Sequence, residues 1–496
     1  MAARVSECTS RADCALQAMT ADNCVRPGTN QANSSPPDSV GNHDGPLKGN
    51  HINPLDAVIP VSLARRIYRS LPQRLRDIVT PVAYYFYDLL NILRPQVWSM
   101  TGEMKGCQES ISVCLYSTTA QYRDYICRLF FGQAWRARCL GRTWLWNMQK
   151  APKAASDASL VFSDLDARYL KVLPTECGIL IPSWVYGESK LPRGRKEKRS
   201  LSAQNTLRKI RQHSLEFEFT HDQRRFDDFY DNMYVPYIEL RYGDSAYVTP
   251  KKKVQESFDK GELLVIKKKG ESIAGELITY EDSCAGLTWL GVRDGNWEYV
   301  RDGALAACYE FSFRRAEEKG CHKMNLGKTR PFLRDGLLQF KRTWSQRLLG
   351  AVSHKFLLRV VSDSPATRSF LENNPFIFER FGDLKGAVFV NGEMPLTIQK
   401  LREIRKEHFY AGMSELIVFQ LSPCKTAEEN GFAPNTFTES SVHDAADPSD
   451  TIRLKQLNRA EWTDLIKGLG FAGIDHAIAI YPTNENGEAL PRAQDE

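Results

Sequence analysis

The chain has 496 residues, of which 42% are hydrophobic and 25% charged, and its 66 basic and 60 acidic side chains give a formal net charge of +6. This length allows two or three domains with sizeable cores, while the small charge excess excludes a uniformly basic nucleic-acid-binding protein. The twelve cysteines form no Cys-x-x-Cys pair and no His-Glu-x-x-His motif occurs, so the sequence supports neither a zinc site nor a dithiol redox centre.

Residues 1–52 are rich in Ser, Asn, Gly, Asp and Pro, and their few apolar residues predict a disordered tail. The tail lacks the apolar run of a secretory signal, and the scattered thiols suit a reducing compartment. The apolar stretch 82–93 is much shorter than the ~20 residues that span a bilayer. We therefore expect a cytoplasmic protein, with peripheral attachment to the inner membrane as an alternative.

Residues 53–150 are predicted to form a helical N-terminal region, because apolar residues recur near helical spacing from Leu63 to Ile78 with arginines between them. A second helix, rich in arginine and aromatic residues, is expected over 121–146. The basic amphipathic stretch 63–76 and the basic run 190–199 are each either solvated surface or a contact with anionic membrane or RNA.

An α/β domain is predicted over 158–350. Its central part should contain three short strands at hairpin spacing, which makes them antiparallel neighbours. Pro236 is expected to end or kink the helix in which it lies. The predicted elements are strands at 178–184, 215–220, 262–268, 271–280, 285–292 and 323–327, and helices at 200–212, 226–242 and 302–319.

Residues 351–496 are predicted to form a C-terminal α/β accessory region. Strands are expected at 356–361, 416–421 and 477–481, and helices at 396–409 and 460–469. The polar segment 422–450 is predicted to be mobile.

The helix at 302–319 has features of an anion site. Asp302 is a good N-cap residue, and Gly303 permits close approach of a ligand to the backbone. The unpaired N–H groups at such a terminus attract a pyrophosphate or another anion. The alternative is an ordinary buried helix with a good cap.

An ordered set of short motifs spans about 175–348. It comprises Gly-Glu-Leu-Leu at 261–264, a strand with a central glycine at 273–277, Thr-Trp-Leu-Gly at 288–291, the long helix, Met-Asn-Leu-Gly at 324–327, and Gly-Leu-Leu-Gln-Phe-Lys-Arg at 336–342. The set resembles the GNAT superfamily of acyltransferases in its bacterial FemAB-like form, the BioF2-like acetyltransferase domain. The resemblance implies an α/β fold with a mixed, mostly antiparallel sheet flanked by helices.

The resemblance also implies an acyl-CoA co-substrate, with acetyl-CoA as the expected donor, and no metal. In the GNAT fold two neighbouring core strands splay apart to hold the pantetheine arm; Leu290 and Val292 occupy one of these strands, and Leu326 and Gly327 the other. The pyrophosphate would lie at Arg301, Asp302, Gly303 and Ala304. The usual phosphate loop, Arg/Gln-x-x-Gly-x-Gly/Ala, is only partly present at 293–295 and 301–303.

Six side chains are candidates for the reaction itself. Glu276 is either the base or a solvent-facing strand carboxylate, and Tyr309 is either a proton donor to the leaving thiolate or a core residue. The candidates for substrate binding are Arg241, Arg330, Lys341 and Arg342.

Three functions remain open from the sequence. The first is an acyl-CoA-dependent N- or O-acyltransferase with a small-molecule, glycan or peptide acceptor. The second is a Fem-type transferase that takes an aminoacyl group from aminoacyl-tRNA. The third is a GNAT-shaped binding or scaffold protein without activity.

Overall fold

A computed structural model describes residues 92–117, 120–148, 157–166, 178–192, 201–243, 246, 248–344, 346–350, 354–392, 396–422, 440–442, 452–466, 469–471 and 473–482, together with Pro72. The predicted tail at 1–52 lies outside the described residues. So do the basic stretch 63–76 apart from Pro72, residues 193–199 of the basic run, and most of 422–450. Among the described helices, none is long and apolar enough to cross a bilayer.

The first part of the chain is mainly β-structure. It contains β1 (Gln96–Met104), β2 (Ser110–Ser117), α1 (Ala120–Phe130), β3 (Phe131–Arg142), β4 (Leu160–Asp166) and β5 (Ile179–Pro182). The predicted helical region at 53–150 is therefore wrong where β1, β2 and β3 lie, and the predicted helix at 121–146 is α-helical only up to the end of α1. At the start of β2 the buried Ile111 and Val113 alternate with the more exposed Ser110 and Ser112, which is the period of a strand and not of a helix.

The second part contains most of the predicted elements. They are β6 (Val185–Lys190), α2 (Leu201–Gln212), β7 (Leu215–Thr220), α3 (Gln223–Phe229), a π-helical turn (Tyr230–Tyr234), α4 (Val235–Tyr242), α5 (Lys251–Phe258), β8 (Gly261–Lys268), β9 (Glu271–Glu281), β10 (Cys284–Val292), α6 (Trp297–Arg301), α7 (Ala304–Glu318), β11 (Lys323–Thr329), α8 (Gly336–Arg342) and β12 (Arg347–Leu349). The predicted hairpin strands are confirmed as antiparallel neighbours.

Pro236 does not end its helix. It stands in the first turn of α4, directly after the π-helical turn. A proline at this position is tolerated because its missing N–H belongs to the first turn, and the wider turn before it relieves the clash of its ring.

The third part contains β13 (His354–Val360), α9 (Pro365–Asn373), β14 (Phe376–Arg380), β15 (Asp383–Val390), α10 (Ile398–His408), β16 (Glu415–Leu421), β17 (Ser440–Val442), β18 (Ile452–Leu457), α11 (Arg459–Leu465) and β19 (Ile474–Tyr481). The strands and helices that the sequence predicted here are present. Strands β14, β15, β17 and β18 and helix α9 were missed.

The described strands form three sheets. Their orders are β3-β1-β2-β4-β13-β5, β12-β6-β11-β10-β9-β8-β7 and β14-β15-β16-β19-β18-β17. The second, central sheet is mostly antiparallel, and helices cover both of its faces. The predicted α/β fold with a mixed sheet flanked by helices is therefore confirmed.

The first and third sheets share one apolar core. Aromatic residues from both contribute to it, among them Phe130, Phe162, Phe356, Phe376 and Phe419. Strands β4 and β5 lie in the same sheet as β1 and β13, so this sheet crosses the predicted domain limits at 158 and 350. Helix α7 packs against one face of the central sheet, and the apolar residues between them form a separate core.

Candidate functional site

Strands β10 and β11 part to leave a V-shaped gap in the central sheet. They run parallel and pair at three positions only, Cys284 with Lys323, Ala285 with Met324 and Gly286 with Asn325. Beyond these positions, β10 continues to pair with β9 and β11 with β6. The later halves of the two strands therefore present backbone edges to the gap, and these halves hold Leu290, Val292, Leu326 and Gly327.

Backbone irregularities on both strands mark the point of divergence. The register of β10 against β9 shifts between Leu287 and Trp289, and that of β11 against β6 shifts between Asn325 and Gly327. Gly327 has a φ of +72°, which favours glycine, and its N–H is bound by the Asn325 side chain at 2.8 Å. Bulges of this kind bend strands away from their neighbours, which accounts for the gap.

One wall of the gap is covered by the helical segment that contains the π-turn. A Cβ on Gly291 of β10 would lie 2.5 Å from backbone atoms of Met233 and Tyr234, so only glycine permits this close crossing. The crossing carries α4 toward the gap, where Arg241 donates to the Tyr237 hydroxyl at 2.6 Å. A π-turn that directs side chains in this way is common at functional sites.

The amine of Lys341 lies where the gap begins. It donates to the carbonyl oxygen of Lys328 on β11 at 2.9 Å and would lie 3.8 Å from a Cβ on Gly327. The side chain is 4% exposed. Burial lowers the pKa of this amine from 10.5 to about 7, although the nearby charges of Asp335 and Glu276 act in the opposite direction.

Glu276 lies under the same region, on the face of β9 that α7 covers. Its carboxylate accepts a hydrogen bond from Ser312 of α7 at 2.9 Å. Burial raises the pKa of Glu276 to about 8, with Ser312 and Lys341 limiting the rise. The alternative of a solvent-facing strand carboxylate is wrong, since Glu276 is 2% exposed.

Tyr309 packs beside this pair from α7. Its ring contacts Phe340 edge-on, with centroids 5.1 Å apart, and Trp344 at 5.4 Å. Burial is the main cause that raises the pKa of the Tyr309 phenol, and the Glu276 charge adds to it. The phenol is therefore neutral, and its ring fills the core between α7 and α8.

Asp335 completes a group of five ionisable side chains, Arg241, Glu276, Tyr309, Asp335 and Lys341, which we call the gap cluster. Asp335 caps α8 by accepting from the N–H groups of Leu337 and Leu338 at 3.0 and 2.9 Å. Burial raises its pKa, and the backbone N–H of Leu338 and the charge of Arg241 oppose the rise. The cap fixes α8 and hence the position of Lys341 on its last turn.

Two predicted substrate-binding residues are engaged elsewhere. Arg342 donates to the carbonyl oxygens of Glu407 and Lys406 at the end of α10, at 2.6 and 2.8 Å. Arg330 lies between two rings, 3.6 Å from the centroid of Trp184 and 3.9 Å from that of Tyr125. Both contacts join the central sheet to its neighbours.

The predicted anion site at the start of α7 is covered. The predicted capping by Asp302 is wrong, because Gly303 is the N-cap residue, with a φ of +100°. Asp302 instead pairs with Lys268 at 2.6 Å and lies 3.7 Å from His213. A Cβ on Gly303 would lie 3.1 Å from Cβ of Lys209, whose amine donates to the Arg301 carbonyl at 3.1 Å.

Residues Gly303 and Ala304 are consequently buried beneath α2, while the Arg301 side chain is 66% exposed beside Glu298. The Lys209 side chain therefore lies over the tip of α7, where the sequence predicts a pyrophosphate.

Sequence reasoning missed three polar residues near the gap. Ser312 and Asp335 are described above. Gln346 is 3% exposed and packs directly on Gly187, which pairs with Gly327 in the neighbouring strand. Neither side-chain amide atom of Gln346 has a hydrogen-bond partner among the described residues. The paired glycines on adjacent strands were the only feature of the sequence that could have pointed to Gln346.

Among the described residues, no group of three His, Cys, Asp or Glu side chains could hold a metal ion.

No protein-family profile matches the chain. No curated protein matches it. Among solved structures, the chain is similar to L-PGS from Bacillus licheniformis, with 13% identity over 42% of this chain and 70% of that one and a TM-score of 0.28. It is also similar to FemX, with 10% identity, coverages of 52% and 83% and a TM-score of 0.29. A GCN5-related N-acetyltransferase-like protein from Streptococcus suis gives 13% identity, coverages of 40% and 71% and a TM-score of 0.25. These similarities are weak.

Proposed function

We propose that the chain is an acyltransferase that moves an acyl group to an amine or hydroxyl acceptor in the gap between β10 and β11. The observation that carries the proposal is the buried amine of Lys341 at the head of this gap, with its pKa lowered to about 7. A group whose pKa lies near the operating pH is suited to accept and return a proton in each turnover. The unpaired strand edges supply N–H groups for the acyl carbonyl.

Lys341 has the role of general base in this proposal. The neutral amine accepts the proton of the attacking nitrogen or oxygen, whose lone pair forms a bond to the acyl carbon. The carbonyl electron pair moves onto oxygen, next to the new ammonium group. When the tetrahedral species collapses, the bond to the leaving group breaks and the ammonium returns its proton to that group.

Burial raises the pKa of Glu276, so this carboxyl group keeps its proton more readily than an ordinary glutamic acid does. We assign Glu276 and Asp335 to tuning the Lys341 amine, because both carboxylates act to raise its pKa. Tyr309, a neutral phenol in the same cluster, is the second group able to protonate a leaving group.

Acyl-CoA is the donor that the motif set favours, and the gap suits its pantetheine arm. The covered tip of α7 favours a second candidate, an aminoacyl ester carried by tRNA, which needs no pyrophosphate at that tip. Acetyl-CoA, S-acetylpantetheine and alanyl-tRNA therefore serve as three alternative donors in the test.

The test is a thermal unfolding series with each donor, on wild type and on Lys341→Met, with Lys328→Met as the control. Lys328 is the exposed neighbour whose carbonyl binds Lys341. A true donor at about 100 times its dissociation constant should add about 2.7 kcal/mol to the stability. Equal shifts by acetyl-CoA and S-acetylpantetheine would mean that the pyrophosphate is not bound. No shift with any donor contradicts an acyltransferase and leaves a scaffold function.

A further inference from the structure

An exposed basic and aromatic surface lies at the outer edge of the first sheet, far along the chain from the gap cluster. Strand β3 forms this edge and pairs with β1 alone among the described strands. The segment 131–148 contains three arginines and three tryptophans but no aspartate or glutamate. This segment is therefore locally positive, although the net charge of the whole chain is only +6.

The surface has its cations and rings on one face of the sheet. Arg136 pairs with Thr101 of β1 and Arg138 with Ser99, so both arginines lie on the same face of the sheet as these residues. Val97 of β1 lies on this face too, two residues before Ser99, and packs against Leu145. Trp144 and Trp146 flank Leu145. We call Arg94, Arg136, Arg138, Trp144 and Trp146 the β3 surface.

The two tryptophans form a stacked platform. Their rings lie 4.7 Å apart at 11°, and the guanidinium of Arg94 lies 4.9 Å from the Trp144 ring centroid. The Arg94 carbonyl accepts from Arg142 of β3 at 3.0 Å, which ties the platform to the strand. Trp146 is 50% exposed, so the outer part of the stack is open to a planar ligand.

Flat rings beside arginines recognise the two chemical parts of a single-stranded nucleic acid. Any base has a π-face that stacks on an aromatic ring, and phosphates pair with guanidinium groups. Arg136 and Arg138, two residues apart on a strand, are separated by about 6.8 Å and can meet successive charges of an extended polyanion. Insertion into a membrane fits less well, because the tryptophans stack on each other, and Gly141 and Arg142 separate them from the arginine pair.

We propose that the β3 surface binds single-stranded nucleic acid, with bases stacked on the Trp144 and Trp146 platform and phosphates on Arg136 and Arg138. The proposal concerns a surface of the first sheet and does not depend on acyl transfer at the gap. Binding should be tolerant of sequence, since stacking and phosphate contacts do not distinguish one base from another.

The test measures fluorescence anisotropy of labelled oligouridine and oligothymidine, each of about 12 nucleotides, with the full chain at several salt concentrations. Trp146→Ala should weaken binding about ten-fold. Arg138→Ala should also weaken it and should make the dependence of log K on log salt shallower by about 0.7. Trp297→Ala and Arg347→Ala are the matched controls, because both side chains are exposed on the central sheet region, and they should bind as wild type does.

Anionic phosphatidylglycerol vesicles form the second arm, measured by co-sedimentation. Binding to the oligonucleotides that falls in both β3 variants, with unchanged unfolding midpoints, supports the proposal. It is overturned if the oligonucleotides do not bind, if they bind equally to wild type and the β3 variants, or if the vesicles alone bind and lose affinity with Trp146→Ala.

Discussion

Replacing Lys341 by Met should remove a pH dependence that the buried amine imposes on stability. The folded protein has an amine pKa of about 7, whereas the unfolded chain keeps a value near ~10.4. The unfolded state therefore binds more protons between these values, and the stability contributed by this group rises as pH increases from about 7 toward 10. Met has a similar length and no charge, so it fills the same space.

The magnitude follows from the two pKa values. Integrating the difference in bound protons from about pH 7 to about pH 9 gives about 2 kcal/mol in favour of wild type relative to Lys341→Met. The side chain is 4% exposed, so solvent screening reduces this figure little. Glu276 titrates in the same range, but its contribution is present in both proteins and largely cancels in the difference.

The assay is urea unfolding of wild type, Lys341→Met and Lys328→Met at both pH values. The free-energy difference between wild type and Lys341→Met should change by about 2 kcal/mol between the two pH values, whereas that for the exposed Lys328→Met control should stay constant within about 0.5 kcal/mol. A difference for Lys341→Met that is equal at both pH values refutes a buried amine with a lowered pKa.

Three further predictions concern the residues around the gap. Because the pKa of Glu276 is raised to about 8 in the folded state, wild type should lose up to about 5 kcal/mol of stability as pH rises from about 4.5 through 8. Glu276→Gln should not show this loss, and urea unfolding across the same pH range measures it. Gly291→Ala should destabilise the fold by about 1–3 kcal/mol, because its Cβ would lie 2.5 Å from helix backbone. Gly132→Ala is the control: its Cβ would have no atom within 4 Å, so the stability measured by thermal unfolding should change by less than about 0.5 kcal/mol. Asp335→Ala should lose the α8 cap and with it about 1 kcal/mol of stability. Asp335→Asn should keep the cap but remove a negative charge near Lys341. The pKa of the Lys341 amine should then fall, and the pH profile of any activity should shift to lower pH.

The central sheet was predictable because its local signals agree with its tertiary environment. Lys269 and Gly270 both adopt positive φ in the turn between β8 and β9, as the hairpin spacing indicates. The strands on either side are strongly apolar. Strand β3 was missed because the sequence predicted a helix over 121–146. Trp135, Ala137 and Cys139 do alternate with two arginines, but all five residues are exposed, so no apolar face marks the strand.

The gap cluster was predictable only in part. Arg241, Glu276, Tyr309 and Lys341 were named from the motif set, and the fold brings them together from positions 100 residues apart. Their roles remain predictions. Arg330 and Arg342 were named by the same reasoning. In the structure, however, their guanidinium groups contact residues outside the central sheet and join this sheet to its neighbours. No local pattern separates a cation that faces a gap from one that joins two packed elements.

The cap of α7 shows a second limit. Asp302 has the right side chain for an N-cap, but the chain turns through the left-handed conformation at Gly303 after the short helix α6. The aspartate then meets Lys268 and His213, which come from distant strands and helices. Capping preferences describe an isolated terminus and cannot include such partners.

The pH dependence of acyl transfer by wild type, Lys341→Arg and Lys341→Met tests the central claim most directly. Hydroxylamine serves as a small acceptor, and acetyl-CoA, S-acetylpantetheine and alanyl-tRNA as donors, with hydroxamate formation as the readout. Wild type should gain rate as pH rises through about 7 with at least one donor, and Lys341→Arg should lose this gain because a guanidinium cannot accept the proton. Equal rates and profiles for wild type and Lys341→Arg, or no rate above background with any donor, contradict the account.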